Sequence, residues 1–320
     1  MKKYLCTALT SLYFAFLATP LTFASDYTIG LAVWSGYPNC VQGFKDALTN
    51  KGLIEGKQLT YLQGEIGADK TLQRKVANDF RAKNVDLVFT LTTPGTTIVK
   101  EVMPPTTPIV FSIVTYPADS GLIESFEYSG NNLVGTSNYV PLFHSINLLL
   151  GILPTTKSVA IFHRKGEPNS KIQTANLYRF FKKKKIKVID VEALSIADLR
   201  TKALALVDKV DAFITTTDTL IQSGGEQALI ELSLTHKIPI LSANKKGIEQ
   251  GATFGVVADF YRLGTMAGNM AANILLNKVQ PETIQSKLQE PPTYLFNQKS
   301  MQQLGITVPE QLDFEIQWTK

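Results

Sequence analysis

Residues 89–101 read Phe-Thr-Leu-Thr-Thr-Pro-Gly-Thr-Thr-Ile-Val-Lys-Glu. An apolar run ending at Phe89 passes into a cluster of threonines, with Pro94 and Gly95 set among them. Residues 210–220 read Val-Asp-Ala-Phe-Ile-Thr-Thr-Thr-Asp-Thr-Leu. Laid under the first stretch, Val85-Asp86 meets Val210-Asp211, Thr90 meets Thr215, Thr92 meets Thr217 and Thr93 meets Asp218. The chain makes the same polar strand end twice.

The rest of the chain follows the same duplication. Thr28–Val33, Leu59–Gln63, Leu87–Thr90 and Ile109–Val114 read as strands. Between them Val41–Asn50, Lys70–Lys83 and Thr96–Val102 read as helices. The pattern restarts with strands over Ser158–Phe162, Val188–Val191, Ala212–Thr215 and Ile240–Ser242, and helices over Ile172–Lys184, Ile196–Val207 and Gly225–His236. Near-continuous apolar strands alternating with amphipathic helices predict parallel sheets covered on both faces. Gly36-Tyr37-Pro38-Asn39 matches Gly166-Glu167-Pro168-Asn169, and Pro108-Ile109-Val110-Phe111-Ser112 matches Pro239-Ile240-Leu241-Ser242. Three matches in one order predict an α/β fold of two Rossmann-like lobes joined by a hinge of several crossings. The first crossing is expected around Gly135–Asn138, the second near Thr253–Asp259 and a third near Glu290–Tyr294, with the helix Tyr261–Leu276 packing back on the first lobe. Lobe one is then 25–136 plus about 256–290, and lobe two 137–255 plus about 291–320.

The chain has 320 residues, 44% hydrophobic and 18% charged, an ordinary globular composition. Its net charge of +5 is mild, and its one basic run, Lys182–Lys185, reads as a solvated helix end. No nucleic-acid partner is expected. Lys2 and Lys3, the apolar stretch Tyr4–Leu17 and the small residues Thr22 and Ala24 have the order of a secretory signal peptide over 1–24. Its removal takes away two lysines and lowers the charge from +5 to +3. Cys6 lies inside that segment and lacks the surroundings of a lipoprotein processing site. Cys40 is then alone, so no internal disulfide is expected. It is either a small core hydrophobe or a thiol nucleophile.

In parallel α/β sheets ligands sit beyond the carboxyl ends of the strands, where the repeated polar clusters fall. Thr92 or Thr93 would cap a helix with Pro94 in its first turn. The free amides of that turn, beside Thr92, Thr93 and Thr96, suit an anionic oxygen. In the second copy Asp218 is an acceptor suited to an ammonium. The pair fits an amino acid zwitterion, although each cluster alone serves equally as a helix cap. Ser112, Asn169, Ser170, Thr217 and Thr219 lie in the same strand-end clusters. Trp34 and Tyr37 could stack on a flat ligand or a sugar face, or pack at a lobe edge. Asp259 either faces the cleft or caps the helix from Tyr261.

The ordered set of motifs resembles the tryptophan- and tyrosine-type solute-binding proteins of bacterial ABC transporters, which have the type I periplasmic binding protein fold. The resemblance runs from about Tyr27 to Glu310. It rests on Gly43-Phe44-Lys45-Asp46-Ala47-Leu48, Thr93-Pro94, Pro108-Ile109-Val110-Phe111, Gly121-Leu122-Ile123 and Asn132-Leu133-Val134-Gly135-Thr136-Ser137. In the second half it rests on Asn169-Ser170, Lys209-Val210-Asp211-Ala212, Thr217-Asp218, Asp259-Phe260-Tyr261-Arg262-Leu263-Gly264 and Leu304-Gly305-Ile306-Thr307-Val308-Pro309-Glu310. It implies a periplasmic protein, expected to be a monomer, that closes on a small solute, often an aromatic amino acid, and delivers it to a membrane permease. Two loops depart from the family's pattern. Tyr37-Pro38 stands where a His-Pro pair is common. The second-lobe loop reads His163-Arg164-Lys165-Gly166-Glu167, where the family often has tyrosine or asparagine and no charge.

An enzyme on the same fold is the rival of a different class. Against it, the three histidines are scattered at 144, 163 and 236, and no Gly-x-Ser-x-Gly, phosphate loop or Gly-x-Gly-x-x-Gly is present. No metal or cofactor is expected. His163 with Glu167 is the best acid–base pair available. A sensory protein that presents its ligand to a receptor, or a binder of sugars or nucleosides, are the remaining alternatives.

Overall fold

The computed structural model describes residues 27–34, 37–309, 312 and 314–319. The expected signal peptide lies outside these residues. The chain opens with β1 (Tyr27–Ala32), α1 (Pro38–Asn50), β2 (Leu59–Gln63), α2 (Lys70–Ala82), β3 (Leu87–Leu91), α3 (Thr93–Val102), β4 (Ile109–Ser112) and β5 (Leu133–Ser137). It continues with α4 (Leu142–Ile152), β6 (Ser158–Arg164), α5 (Pro168–Lys183), β7 (Lys187–Ala193), α6 (Ile196–Leu204), β8 (Ala212–Thr215), α7 (Glu226–His236), β9 (Ile240–Ser242), α8 (Lys245–Gln250) and β10 (Phe254–Val257). It ends with α9 (Phe260–Asn277), β11 (Lys287–Leu288), β12 (Thr293–Asn297), α10 (Gln298–Leu304) and β13 (Ile316–Thr319).

The strands form two sheets. The first runs β2-β1-β3-β4-β5-β11 and is parallel throughout. The second runs β7-β6-β8-β9-β10-β12-β13 and is parallel except for the β10–β12 pair. The same winding order in both sheets is the duplication read from the two threonine ends. The repeated aspartates explain part of it. Asp86 accepts the Thr28 amide at 2.7 Å, and Asp211 accepts the Lys157 and Ser158 amides at 2.8 Å. Each pins the start of one strand to the start of its neighbour and so sets the register. β3 and β8 are buried along their whole length, as strands covered by helices on both faces must be.

The chain passes between the sheets three times. β5 lies in the first sheet, while α4 packs in a second-lobe core with Val159, Phe181 and Phe254. β10 lies in the second sheet, while α9 packs in the core of the first lobe with Phe44, Leu48 and Phe89. β11 returns to the first sheet and β12 to the second. The α1–α9 contact depends on glycine. A Cβ on Gly43 would stand 2.1 Å from the Tyr261 carbonyl, and one on Gly264 would stand 2.0 Å from the Cys40 carbonyl. The two helix backbones touch there.

The expected strand over Ile109–Val114 stops at Ser112. Ile113 adopts φ 56°, a left-handed conformation that a β-branched residue rarely takes, and this turns the chain out of the sheet. It has company. Trp34 (φ 49°), Tyr37 (φ 48°) and Thr92 (φ 69°) follow β1 and β3 in the same lobe. Strained residues gather at the strand ends where side chains must be aimed. Cys40 resolves to the core hydrophobe: it is fully buried, donates to Ser112 Oγ at 3.2 Å, and burial pushes its thiol up to about 12. Among the described residues no helix is long and apolar enough to cross a membrane.

Candidate functional site

The carboxyl ends of both sheets face one another. Thr115, just after β4, and Thr217, just after β8, share a hydroxyl–hydroxyl hydrogen bond of 2.8 Å between the lobes. Between the lobes lies a cavity of about 520 Å³, within the range of small-molecule sites. Trp34, Pro94 and Thr97 line it from the first lobe, and Arg164, Lys165 and Glu167 from the second.

On the first-lobe side α3 begins at Thr93, and Thr92 Oγ1 caps it by accepting the Gly95 amide at 3.3 Å. Thr93 and Thr96 are buried, and neither hydroxyl has a partner. The same holds for the Trp34 indole N–H and the Tyr37 hydroxyl. Tyr37 stands at the N-cap of α1 without capping it, its ring edge-on to Phe260 at 5.6 Å. Burial, then the negative charges of Glu167 and Asp218, raise its phenol well above the usual range, so it is a neutral hydroxyl.

On the second-lobe side the polar groups fall into two sets. Asn169 donates to the Thr217 carbonyl at 3.1 Å and Asn244 to the Thr216 carbonyl at 3.1 Å, and both leave Oδ1 buried without a partner. Thr217 also binds Gln173 Oε1 through its amide and its hydroxyl, each at 3.0 Å. The second set is turned inward. Asp218 is fully buried and accepts from the Arg164 amide at 2.9 Å, the Thr216 hydroxyl at 2.6 Å and the Ile221 amide at 2.9 Å. Burial raises its carboxyl against those three bonds. Ser170 is spent on the Arg164 and Glu167 carbonyls, and Ser112 on Thr136 and Cys40. Thr219 gives its amide and hydroxyl to Glu167. Asp259 takes the capping role: one oxygen caps α9 at the Arg262 amide, 3.0 Å away, and the second is spent on Lys245 at 2.5 Å. Burial alone would raise this carboxyl, but Lys245 and the Arg262 amide outweigh burial and hold it below the usual range.

Of the expected site residues, Trp34 lines the interlobe cavity, Thr217 reaches across to Thr115, and Tyr37, Thr93, Thr96 and Asn169 keep buried polar atoms without partners, while Ser112, Ser170, Thr219 and Asp218 are committed to bonds within their own lobes. Removing the Asp218 carboxylate leaves the Arg164 and Ile221 amides without their acceptor and the Thr216 hydroxyl with only its longer contact to the Phe162 carbonyl. Asp218→Ala is expected to cost about 3 kcal/mol in the unliganded protein, read by chemical unfolding. Sequence reasoning missed Gln173, which carries no motif, and did not single out Thr115 and Asn244 within the strand-end clusters Ser112–Tyr116 and Ser242–Asn244. It set Glu167 against His163, but His163 bonds Asp190 at 2.6 Å across β6–β7, while Glu167 bonds Thr219.

A profile of the ABC transporter substrate binding protein family matches residues 35–317. The chain belongs to this family. The substrate-binding protein is 27% identical over 241 residues to a tyrosine-binding protein of Clostridioides difficile, covering 74% of this chain and 68% of the relative. Among solved structures it resembles a conserved domain protein of Vibrio cholerae at a TM-score of 0.86, with 26% identity, covering 92% of this chain and 100% of that one. It also resembles a streptococcal ABC domain in complex with L-Trp at a TM-score of 0.82, with 23% identity, covering 89% and 97%. A ligand-free, open substrate binding protein of Clostridium difficile aligns at 0.70 with 24% identity, covering 92% and 100%. The substrate-binding protein thus has the type I periplasmic binding fold.

Proposed function

We propose that this substrate-binding protein captures a single amino acid, an aromatic one by preference, between its lobes in the periplasm and delivers it to an ABC permease. One observation carries the reading. At the strand ends where the lobes meet, polar atoms of both lobes lie buried and unpartnered: Trp34 Nε1, Tyr37 Oη, Thr93 Oγ1 and Thr96 Oγ1 in the first, Asn169 Oδ1 and Asn244 Oδ1 in the second. Each such atom costs roughly 1–3 kcal/mol unless something bonds it. A zwitterion supplies what is missing. Its carboxylate suits the start of α3 with the hydroxyls of Thr93 and Thr96, and its ammonium suits the acceptor oxygens of Asn169 and Asn244. Asp218 contributes negative potential from beneath Thr217. Trp34 offers an aromatic neighbour to a ring.

Hinge closure is the mechanism, since contacts from both lobes favour the state in which they meet. The interlobe Thr115–Thr217 bond supports this, as does the greater likeness to the L-Trp complex than to the open, ligand-free relative. The tyrosine named for one relative and the tryptophan in another support an aromatic ligand. The test is thermal unfolding of residues 25–320 against a panel of amino acids, sugars and nucleosides. A ligand at a hundred times its dissociation constant adds about 2.7 kcal/mol. A rise in Tm with L-tyrosine or L-tryptophan is the expected result. A rise with sugars or nucleosides alone overturns the ligand class.

A further inference from the structure

Tyr37 and Glu167 are the same position in the two halves of the repeat, each preceding a Pro-Asn pair. In the fold they are the N-cap residues of α1 and α5, the first helix of each lobe, and neither side chain caps its own helix. Tyr37 instead packs edge-on to Phe260, and Glu167 takes the amide and hydroxyl of Thr219. The Tyr37 hydroxyl is buried with no partner. Glu167 is 5% exposed and lines the interlobe cavity with Trp34, while its hydrogen bonds come from Thr219 and leave capacity on Oε1. The charge of Glu167 is felt at Tyr37 more strongly than that of any other group.

Resting on the reading of an aromatic amino acid as ligand, we infer that Glu167, with Tyr37 opposite, is a specificity-determining residue that accepts a hydrogen bond from a donor on the ligand's side chain. A phenol fits both partners, donating to Glu167 and accepting from Tyr37. An indole N–H fits Glu167 alone, and a phenyl ring fits neither. An ammonium is a poorer match for this end of the cavity. Lys70, Arg74, Arg164 and Lys165 line the same space against Asp69, Glu101 and Glu167, with Arg74 paired to Glu101, so the lining does not call for a further cation, and Arg164 shares the Thr219 hydroxyl with Glu167. The charged loop that sets this chain apart within its family resemblance thus acquires a task.

The test is calorimetric titration of the mature chain with L-tyrosine and L-phenylalanine, for the wild type, Glu167→Gln, Glu167→Leu and Tyr37→Phe, each checked for an unfolding transition. A site built to bond a polar group rejects the analogue lacking it by orders of magnitude. The wild type is expected to prefer tyrosine by about a hundredfold or more. Glu167→Leu should bring that ratio below about tenfold, because tyrosine loses affinity while phenylalanine does not. Glu167→Gln, which keeps an acceptor, should retain most of the preference, and Tyr37→Phe should cut it by about tenfold. If Glu167→Leu does not fold, these two variants carry the test. A ratio that survives all the variants overturns the inference. A loss of equal size for both ligands assigns Glu167 to the ammonium and also overturns it. If neither amino acid binds the wild type, the ligand class itself fails, and the inference with it.

Discussion

Gly264→Val is expected to remove at least ~3 kcal/mol from the stability of this protein, enough to unfold the first lobe on mild heating. The Cβ alone would stand 2.0 Å from the Cys40 carbonyl and 3.0 Å from the Phe44 amide nitrogen. These are atoms of a helix backbone, not the ends of flexible side chains, so relief requires α1 and α9 to part. Parting them uncovers Phe44, Leu48 and Phe89, which the faces of these helices bury, and Phe44 stacks on Phe89 at 3.9 Å between ring centroids. Gly264→Ala should show a smaller loss of the same kind, and an alanine at the exposed Gly52, where a Cβ meets nothing, should show only the strain of its positive φ. Urea unfolding followed by far-UV circular dichroism measures all three. A Gly264→Val protein as stable as the wild type would mean that the helices do not touch.

Stability should also fall as the pH rises from about 4.5 to about 7, and Glu226→Gln should flatten about half of that fall. Glu226 is buried among Thr215, Ser242 and Asn244, with bonds of 2.7, 2.6 and 3.2 Å. Burial raises its carboxyl from 4.5 to about 7 against those donors. The folded chain therefore holds this proton in a pH range where the unfolded chain releases it. The contribution is fully present below the unfolded value and is lost as pH climbs through the folded one. A shift of this size is worth on the order of 3 kcal/mol, roughly 5 °C in Tm for a chain of this length. Glu167, also raised to about 7 by burial and then by Asp218, adds in the same direction. Glu226→Gln is neutral at every pH and leaves the Glu167 share in place. A wild-type Tm that rises from pH 5 to pH 7.5 would sink this account.

The fold was legible because the strand pattern is buried on both faces and repeats with its turn chemistry. Val85-Asp86 and Val210-Asp211 mark equivalent strand starts, and the aspartates tie equivalent neighbours. The edge strands β11 and β13 are two and four residues long and carry no such signal. The strand end at Ile113 was hidden for a different reason: nothing in an isoleucine announces a positive φ, which its surroundings impose. The candidate site was legible as two strand-end clusters, but not in its division of labour. Asp218 and Asn169 both read as polar groups near a helix start. Which one spends its atoms at home and which keeps one spare depends on how the backbone turns Thr216 and Ile221 toward Asp218 and on Arg164, brought in from far along the chain.

The three crossings also fix an order of completion. Emerging from the ribosome, the first lobe begins first and ends nearly last. Its α1 has no neighbour for its Gly43 face until Gly264 and Gly268 have been made, and its sheet lacks β11 until Leu288. The second lobe begins later, yet it too waits, for β12 and the segment that holds it. Neither lobe can be finished and set aside while the other grows. An apolar helix face that stays uncovered through most of synthesis is a hazard in a crowded compartment, but it keeps a chain threadable. On the periplasmic role proposed above, such a chain gains from a topology in which residues made late, Gly264 and Leu288, are the ones that lock the first lobe.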